Sequence, residues 1–530
     1  MRRWNGWGEE TVDFPLPNPA GAFLQDLLGP GVQVRDASLE EAVSRVPSSR
    51  LPGHPLVSTS PVERLRHSAG QSFPDWVALR SGTVPAYPDG VAYPLTGEDV
   101  REILDYAGST GAQVIPYGGG TSVVGHLSVP SGDQPVLTVD MGRMNGLVHM
   151  DGKDGLATFQ AGVRGPDLEA ALMAVGFTLG HYPQSFEFST LGGWVATRSS
   201  GQFSMGYGRI ERLFVGGTME TPAGGMELPC FPASAAGPDL REFVLGSEGR
   251  FGIITHATVR VTPLPEEESV HAAFFPGEDQ GIAAVRELAQ ASLPLVMVRL
   301  SLARETVTNL ALAGESRAIN LLKRWLAFRG VGEGMCMLLY GAAGSRKKVR
   351  WVLRRALEVV KQHRGVAVGS RPGWEWYKHR FRIPYLRNTL WEAGYAVDTL
   401  ETATTWNRLP ETVEAVEGAL RNGLGERGEK VHAFTHLSHV YPHGSSIYTT
   451  YLFRVAPDHG ETLRRWRVLK GAASEAIVRR GGTISHQHGV GVDHLSYLET
   501  EKGPLGMEMI RSLCRTLDPG GMMNPGKLLR

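Results

Sequence analysis

The sequence predicts an α+β protein with several domains. Its 530 residues exceed the ~250–300 at which a single hydrophobic core stops growing. Short alternating apolar runs, typical of strands, are interspersed with amphipathic stretches, typical of helices. Glycine, at 66 residues, is enriched and indicates many turns and close backbone approaches. We expect a leader with helical segments over 1–85, a two-part α+β domain over 86–265, an α+β domain with an antiparallel sheet over 266–455, and a C-terminal helical segment over 456–530.

Local patterns predict the individual elements in order along the chain. Ser38 opens the first helix, because Ser38 and Glu41 have the spacing of a capping box. Pro263 and Pro265 end the last strand of the first domain. The predicted elements are a helix over 38–46, a strand at 91–94, a helix over 97–107, strands at 113–116 and 136–140, a hairpin of 147–151 and 157–163, a helix over 167–175, strands at 251–261, 295–300 and 447–453, and helices over 411–421 and 461–480.

Charge and hydropathy exclude several classes of protein. Lysine plus arginine and aspartate plus glutamate number 54 each, so no net field attracts nucleic acid. The one basic cluster, 346–355, alternates with apolar residues at helical spacing, which favours the solvated face of an amphipathic helix over a nucleic-acid surface. No apolar run approaches the ~18–20 residues of a transmembrane segment.

The cysteines and the two ends of the chain indicate a reducing compartment. Cys230, Cys336 and Cys514 lie far apart and form no CxxC pair, so the sequence contains neither a disulfide framework nor a zinc cluster. Two arginines near the start are followed by no apolar stretch, and the last five residues match no retention or peroxisomal signal. We therefore expect a cytoplasmic protein without a bound metal.

A glycine-rich loop is the first candidate binding site. Three consecutive glycines, 118–120, follow an apolar strand and precede Thr121 and Ser122. Free backbone N–H groups and two hydroxyls at such a turn suit an anion, in particular a pyrophosphate. The loop matches neither a Walker A motif nor G-x-G-x-x-G, which weighs against a nucleoside triphosphate or a Rossmann-bound NAD. A glycine-rich hairpin without a ligand is the alternative for the loop by itself.

Two further motifs, together with this loop, identify a family. The loop reads P-x-G-G-G-T-S-V over 116–123, the second motif reads G-H-x-P-x-S-x-E-F-S-T-x-G-G-W-V-x-T-R over 180–198, and the third reads G-S-E-G-x-x-G-x-I-T over 246–255. In this order they resemble the alkyl-dihydroxyacetonephosphate synthase branch of the vanillyl-alcohol-oxidase/PCMH-type FAD-binding family. The resemblance runs from Trp4 to the C-terminus. It implies that 86–265 is a PCMH-type FAD-binding domain with two subdomains and that 266–455 is a cap, or substrate, domain.

The resemblance implies FAD as the cofactor and a set of residues that bind it. Relatives that attach FAD covalently often have a histidine after the glycines, whereas Thr121 stands there in this sequence, so we expect noncovalent FAD. His126 is the nearby alternative for a covalent bond. The isoalloxazine ring is expected at the seam of the two domains. The residues implied in FAD binding are Pro116, Gly118, Gly119, Gly120, Thr121, Ser122, Ser185, Thr190, Gly193, Thr197, Glu248, Gly252 and Ile254.

His486 and His488 are the candidate catalytic histidines. We expect them on a strand, where the i, i+2 spacing directs both imidazoles to one face and lets them transfer protons. A metal pair is the alternative, with Asp493 as the nearest third ligand, although nothing in the pattern directs Asp493 to them. Tyr448 matches the family's active-site tyrosine and is implied as a proton-transfer partner, whereas its local pattern alone favours strand core.

Several positions depart from the synthase pattern. His436 stands where the synthase has an arginine, and a histidine is a weaker, pH-dependent ligand for a substrate phosphate. Arg387 matches another family arginine that can bind an anion; by its pattern alone it reads as a surface salt-bridge partner. Gln487 replaces the middle of three histidines. The ending D-P-x-x-x-x-N-P-G-K over 518–527 resembles FAD-linked hydroxyacid dehydrogenases.

Three functions are therefore compared. The resemblance along the whole chain favours an ether-forming synthase that uses flavin N5 with proton transfer by Tyr448 and the histidines. His436, Gln487 and the C-terminal motif favour a 2-hydroxyacid dehydrogenase or oxidase of the lactate or glycolate type. The third hypothesis is an FAD-binding subunit without chemistry. We predict an FAD-dependent enzyme with a small-molecule or lipid-like substrate, and the resemblance implies a homodimer.

Overall fold

The computed structural model describes residues 1–16, 18–312, 314 and 317–529. Helices and mostly antiparallel sheets alternate along the chain, so the predicted α+β class is confirmed. The N-terminal segment contains short helices and one strand that pairs with the next domain. Ser38 caps its second helix with the predicted capping box to Glu41. These elements are α1 (Asn18–Leu28), α2 (Leu39–Val43), β1 (Val57–Ser58), α3 (Pro61–Arg66) and α4 (Phe73–Ser81).

The first part of the two-part domain is a small sheet in the order β1-β2-β4-β3. Strands β2, β4 and β3 are parallel to one another, and helix α5 connects β2 to β3. Apolar side chains of α5 at helical spacing, including Ile103 and Ala107, are fully buried against this sheet. The glycine-rich loop leaves the end of β3. The elements are β2 (Gly90–Ala92), α5 (Gly97–Thr110), β3 (Gln113–Tyr117) and β4 (Val136–Asp140).

The second part is an antiparallel sheet in the order β5-β6-β10-β8-β9. The predicted hairpin forms its β5 and β6, and the long strand β10 lies at its centre. The strands are β5 (Leu147–Asp151), β6 (Leu156–Gln160), β7 (Phe177–Thr178), β8 (Phe214–Thr221), β9 (Gly224–Leu228), β10 (Ile253–Arg260) and β11 (Thr262–Pro263). The helices are α6 (Gly165–Met173), α7 (Leu191–Thr197), α8 (Ser204–Tyr207), α9 (Ile210–Leu213) and α10 (Arg241–Val244).

The next domain is built on a seven-stranded antiparallel sheet in the order β15-β12-β14-β13-β17-β18-β16. The basic residues of 346–355 lie on the exposed side of α14, whose apolar side packs on the sheet, as predicted. The strands are β12 (Glu267–Phe275), β13 (Met297–Ser301), β14 (Cys336–Gly344), β15 (Val366–Gly369), β16 (Tyr395–Thr405), β17 (Val431–Tyr441) and β18 (Gly444–Arg454). The helices are α11 (Glu278–Gln290), α12 (Ala303–Leu312), α13 (Arg317–Phe328), α14 (Arg346–Gln362), α15 (Arg371–His379), α16 (Leu386–Glu392) and α17 (Leu409–Asn422).

Two long helices complete the chain, and they pack on different domains. Helix α18 (His459–Arg479) lies against α17 and α4, with Trp466 and Leu469 in the core beside the seven-stranded sheet. Helix α19 (Leu498–Leu517) buries Met507 and Cys514 in the core of the five-stranded sheet β5-β6-β10-β8-β9. The segment between these helices therefore passes from one domain to the other.

His432 on β17 gives the fold a testable pH dependence. Burial, and secondarily the charge of Arg304, lowers the pKa of His432 from 6.5 to about 4. The unfolded chain takes up a proton near pH 6.5 and the folded chain only near pH 4, so this residue contributes stability above pH 6.5 that is lost as the pH falls to about 4. We expect His432→Gln to reduce the slope of unfolding free energy against pH by about one proton in this window, measured by urea unfolding. An unchanged slope would contradict the assignment.

Candidate functional site

Four neighbouring strands of the seven-stranded sheet place one row of polar side chains on the same face. Ser301 on β13 pairs with His436 on β17, His436 pairs with Tyr448 on β18, and Tyr448 pairs with Glu401 on β16. Directly paired residues project to the same side of a sheet, so the row is continuous. The His436 and Tyr448 rings stack, with centroids 4.8 Å apart and planes at 19°. Two predicted site residues are thus brought together.

Glu401, which the sequence analysis missed, holds the segment that contains both candidate histidines. Its carboxylate is 1% exposed and accepts the backbone N–H groups of His486 (2.6 Å) and His488 (3.0 Å). It also accepts the Gln487 N–H (3.1 Å) and the Ser485 hydroxyl (2.7 Å). Burial alone raises the pKa of Glu401, but the interactions with His488, His486, Gln487 and Ser485 outweigh it and lower the pKa to about 2.

The prediction that His486 and His488 lie on a strand is wrong. Residues 484–491 form a loop, because their N–H groups bond the Glu401 carboxylate instead of a neighbouring strand. The two imidazoles still converge, since their Nδ1 atoms lie 4.0 and 3.7 Å from the two oxygens of Glu401. We call residues 484–491 the histidine loop. Among the described residues, no group of three His, Cys, Asp or Glu side chains is arranged to hold a metal ion.

The two histidines have different surroundings. His486 Nε2 lies 2.8 Å from Arg209 Nη1 and 2.6 Å from the Tyr441 hydroxyl, both donors, so Nε2 is an acceptor and the ring proton belongs on Nδ1. Burial, then the charge of Arg209, lowers the pKa of His486 to about 3. His488 instead meets the Tyr448 ring edge-on, with centroids 5.7 Å apart. Burial also lowers the pKa of His488.

A guanidinium that the sequence analysis missed lies beside His436. Arg299, on the neighbouring strand β13, places Nη2 3.0 Å from His436 Nδ1 and 2.8 Å from Glu305 Oε1. Glu305 also lies 3.0 Å from His436 Nδ1. Burial raises the pKa of Glu305, but Arg299 and His436 outweigh it and lower the pKa to about 2. An arginine paired with a carboxylate thus lies directly beside His436.

The local pattern of Arg387 indicated a surface salt-bridge partner, but the structure shows different contacts. Arg387 donates from Nη1 to the Gln71 carbonyl (2.6 Å), and its guanidinium carbon lies 4.3 Å from the centre of the Trp76 ring. Burial lowers its pKa to about 10. Its other terminal nitrogen, Nη2, is buried and has no hydrogen-bond partner among the described residues. Such a group remains available to an anion or a carbonyl.

The first two FAD motifs pack directly on each other. A side chain at Gly118 would place its Cβ 2.4 Å from Thr190 Oγ1, and one at Gly119 would place it 1.9 Å from the Phe188 carbonyl oxygen. Thr190 caps α7 by accepting the Gly193 N–H (3.3 Å), and Thr197 donates to the Gly193 carbonyl (2.9 Å). Only glycine permits this approach between the loop and the start of α7.

The third motif connects the glycine-rich loop to the histidine loop through Glu248. The Glu248 carboxylate accepts the N–H groups of Val490 (2.5 Å) and Gly491 (2.9 Å) and lies 3.1 Å from His126 Nε2. His126 in turn bonds the Ser122 hydroxyl through Nδ1 (2.8 Å). The sequence indicated Glu248 as a cofactor contact, whereas its carboxylate is occupied by the protein itself. Asn524 of the C-terminal motif donates to the Glu248 carbonyl (2.6 Å), so that motif also packs here.

The remaining predicted cofactor residues lie around the same loops. Pro116 is the fourth residue of β3, and its ring lies 2.9 Å from the position of a Cβ on Gly249. The carbonyl of Ser185 accepts the N–H groups of Phe188 and Ser189, which shapes the second motif. Gly252 has φ +153° and packs on the Glu220 carbonyl, and Ile254 follows it in β10.

The loop residues fit the pyrophosphate of FAD. Within the part of the chain that the structure describes, the N–H groups of Gly120 and Thr121 have no protein acceptor, and the hydroxyl of Thr121 has no protein partner. Free amides on a glycine turn that no Cβ narrows are the donors that a pyrophosphate requires. A cavity of about 740 Å³ opens at the domain seam next to the histidine loop and is lined by Arg209, Val296, Lys348, His439 and Tyr441 among others.

Comparisons with known proteins agree with this fold. A model described as "FAD binding domain" matches residues 88–227, and one described as "FAD linked oxidases, C-terminal domain" matches residues 264–528. The fold and the site therefore define an FAD-dependent flavoenzyme. An alkyldihydroxyacetonephosphate synthase from Caenorhabditis elegans is 31% identical and covers 99% of this chain and 95% of its own. The chain belongs to the alkyldihydroxyacetonephosphate synthase branch of the FAD-linked oxidases.

Other relatives support the same branch. The alkyldihydroxyacetonephosphate synthase of Dictyostelium discoideum is 28% identical over 99% of this chain and 93% of its own. A solved structure of an alkyldihydroxyacetonephosphate synthase, 26% identical, has a TM-score of 0.85 and covers 99% of both chains. The mitochondrial D-lactate dehydrogenase [cytochrome] of Arabidopsis thaliana is 26% identical over 83% of this chain and 73% of its own. The predicted PCMH-type fold and the FAD cofactor are confirmed.

Proposed function

We propose that this protein is an alkyldihydroxyacetonephosphate synthase, which exchanges the acyl group of acyl-dihydroxyacetone phosphate for a fatty alcohol in ether lipid biosynthesis. The observation that carries the proposal is the row of Tyr448, His436 and Glu401 with the histidine loop closed over it. Glu248 ties that loop to the glycine-rich loop, so the groups that bind cofactor and those that move protons are one connected unit. The full-length similarity to the synthases supports the same reaction.

Proton transfer in this proposal belongs to Tyr448 and His488. FAD, held by the glycine-rich loop, would supply the redox-active isoalloxazine ring. Burial raises the pKa of Tyr448 to about 12, so its phenol is protonated at neutral pH and acts first as an acid. His488 is neutral and adjacent to the Tyr448 ring, and it accepts or returns the proton. Glu401 orients His488, and Arg209 with Tyr441 fixes His486 as a positioning residue.

Substrate binding is assigned to three basic side chains and to the seam cavity. Arg299 and His436 face the Tyr448 side of the sheet and can contact a phosphate, and Arg387 has the unpartnered nitrogen. The seam cavity has apolar lining at Val296 and Leu293. Its charged lining is Arg209, Arg212 and Lys348 with Glu211 and Glu266, an excess of one positive charge that is compatible with a lipid-like substrate with an anionic end. Arg387 and His436 thus remain our proposed substrate-binding residues.

A 2-hydroxyacid dehydrogenase or oxidase is the second candidate. The observation that favours it is the pairing of Arg299 with Glu305, because a neutralised guanidinium binds a dianionic phosphate less well than a free one. A small hydroxy acid carries only one carboxylate and requires less positive charge. The similarity to a D-lactate dehydrogenase supports the same candidate.

The remaining assignments complete the proposal. We propose noncovalent FAD, because His126 is engaged by Ser122 and Glu248 and is not free to form a covalent bond. Residues 86–265 bind the cofactor, 266–455 form the substrate domain, and 456–530 complete the site through the histidine loop. No helix among the described residues is long and apolar enough to cross a membrane. A cytoplasmic homodimer is the proposed form.

An anaerobic absorbance spectrum tests the two candidate functions. The purified protein is expected to show a flavin spectrum that bleaches with acyl-dihydroxyacetone phosphate and recovers when a fatty alcohol is added, with the alkyl ether product detected by mass spectrometry. Durable bleaching by one member of a panel of 2-hydroxy acids, without ether formation, would instead establish a dehydrogenase. A spectrum unchanged by all of them would contradict both candidates.

A further inference from the structure

The first ten residues form a hairpin that contacts both domains. We call residues 1–10 the N-terminal hairpin, because the Arg3 N–H donates to the Gly8 carbonyl (2.8 Å) and Glu10 N–H donates to the Met1 carbonyl (2.8 Å). The Asn388 side chain on α16 accepts the Trp7 N–H (3.0 Å) and donates to the Trp7 carbonyl (2.9 Å). The hairpin is therefore fixed to the second domain and is not a loose leader.

Arg2 connects this hairpin to the glycine-rich loop. Its guanidinium donates to the Gly119 carbonyl (2.6 Å) and reaches the Gly120 carbonyl at 3.5 Å. It lies over the Phe188 ring, 5.2 Å from its centre, and the Phe188 carbonyl is the atom that Gly119 packs against. Trp7 meets the same ring edge-on at 5.7 Å. Arg2 thus contacts two carbonyl groups of the loop and the Phe188 ring.

These bonds fix which way the loop amides point. In a planar trans peptide the carbonyl and the following N–H point in opposite directions. When Arg2 holds the carbonyls of Gly119 and Gly120, the N–H groups of Gly120 and Thr121 therefore point away from it. Neither of these N–H groups has a protein acceptor among the described residues, so both remain available to a ligand. The guanidinium of Arg2 therefore orients two N–H groups that can donate to a pyrophosphate.

The positive charge of the side chains around the glycine-rich loop also favours binding of an anion there. A cavity of about 280 Å³ is lined by the three glycines and by five arginines, with Asp140 as its carboxylate. The excess positive charge lies within a Debye length of the loop and favours an anion bound to it. The five are Arg2, Arg3, Arg66, Arg143 and Arg164.

We propose that Arg2 is a positioning residue of the FAD site and that the N-terminal hairpin preorganises the glycine-rich loop for the cofactor pyrophosphate. Without Arg2, the two peptide planes can rotate, and binding FAD then has to order them. The hairpin also links α16, which carries Arg387, to the cofactor loop through Asn388 and Trp7. Both candidate reactions require bound FAD, so this role of Arg2 is the same in either.

Titration of apoprotein with FAD, followed by quenching of flavin fluorescence, tests this proposal. Loss of a charge-assisted hydrogen bond in Arg2→Ala is expected to raise the Kd for FAD by about tenfold or more. Arg2→Lys keeps one donor for Gly119 and is expected to recover part of the affinity. The melting temperature of the apoprotein should stay within a few degrees in both variants, which separates loop orientation from general stability.

Arg45→Ala is the matched control. Arg45 also donates to backbone carbonyls in the N-terminal segment, at Ser81 (3.3 Å) and Gly82 (2.9 Å), but it does not contact the glycine-rich loop. Its Kd for FAD is expected to equal that of the unmodified protein. A Kd unchanged within twofold in Arg2→Ala, or raised equally in Arg45→Ala, would overturn the proposal.

Discussion

Replacing Tyr448 with phenylalanine is expected to lower kcat by about 10²- to 10⁴-fold while FAD stays bound. The substitution removes one hydroxyl at the centre of the polar row and keeps the ring that stacks on His436 and meets His488. Loss of a positioned acid or base costs a factor of this size. Steady-state kinetics give kcat, and the absorbance spectrum gives the FAD content. The fall should appear in kcat more than in KM, because the hydroxyl acts on the reacting atoms.

Tyr395→Phe provides the matched control. Tyr395 lies at the far end of β16 in the same sheet, and its hydroxyl donates to the Gly29 carbonyl (2.8 Å). This variant loses one hydrogen bond of about 1 kcal/mol in stability and should keep its kcat. If Tyr448→Phe kept full turnover with full FAD occupancy, the phenol would have no part in proton transfer.

The fold was largely predictable because its signals are local. Helix 461–480 and strand 447–453 were identified from periodicity alone, and Ser38 from its capping box; all three are confirmed, with boundaries shifted by a few residues. The conformation of the histidine loop was not predictable, because its two histidines alternate with other residues as they would on a strand. Its conformation depends on the buried carboxylate of Glu401, which lies more than 80 residues earlier in the sequence. Local patterns contain no information about such a partner.

The same reason explains which site residues were missed. Arg299, Glu401 and Tyr441 lie on three strands whose pairing brings them to the polar row or the histidine loop, and only the sheet register reveals this. The resemblance to the synthases indicated Tyr448 and His436 because both occupy positions in family motifs. It could not show that Arg299 lies beside His436. The sequence did contain one signal for Arg299 and Glu401: both are charged residues within strands, and such residues are rarely buried without a partner.

Replacing Gly119 with valine is expected to abolish FAD binding and, with it, all activity. Glycine lets the loop backbone come close to a ligand, so a side chain here would obstruct the cofactor. The structure gives a stronger reason, because a Cβ would lie 1.9 Å from the Phe188 carbonyl oxygen and 2.9 Å from Ser189 Cα. Both contacts are with backbone and cannot be relieved by a rotamer change, so the loop has to leave the start of α7. The free amides of Gly120 and Thr121 would then lose their orientation.

The flavin content after purification and the Kd for added FAD measure this effect. Gly53→Val is the control, because no atom lies within 4 Å of a Cβ at Gly53, and its flavin content should be normal. Gly119→Val should be colourless and should not take up FAD at concentrations that saturate the control. Circular dichroism separates local from global damage, since the seven-stranded sheet lies far along the chain from the loop. A yellow, fully loaded Gly119→Val protein would show that the glycine-rich loop does not hold the cofactor.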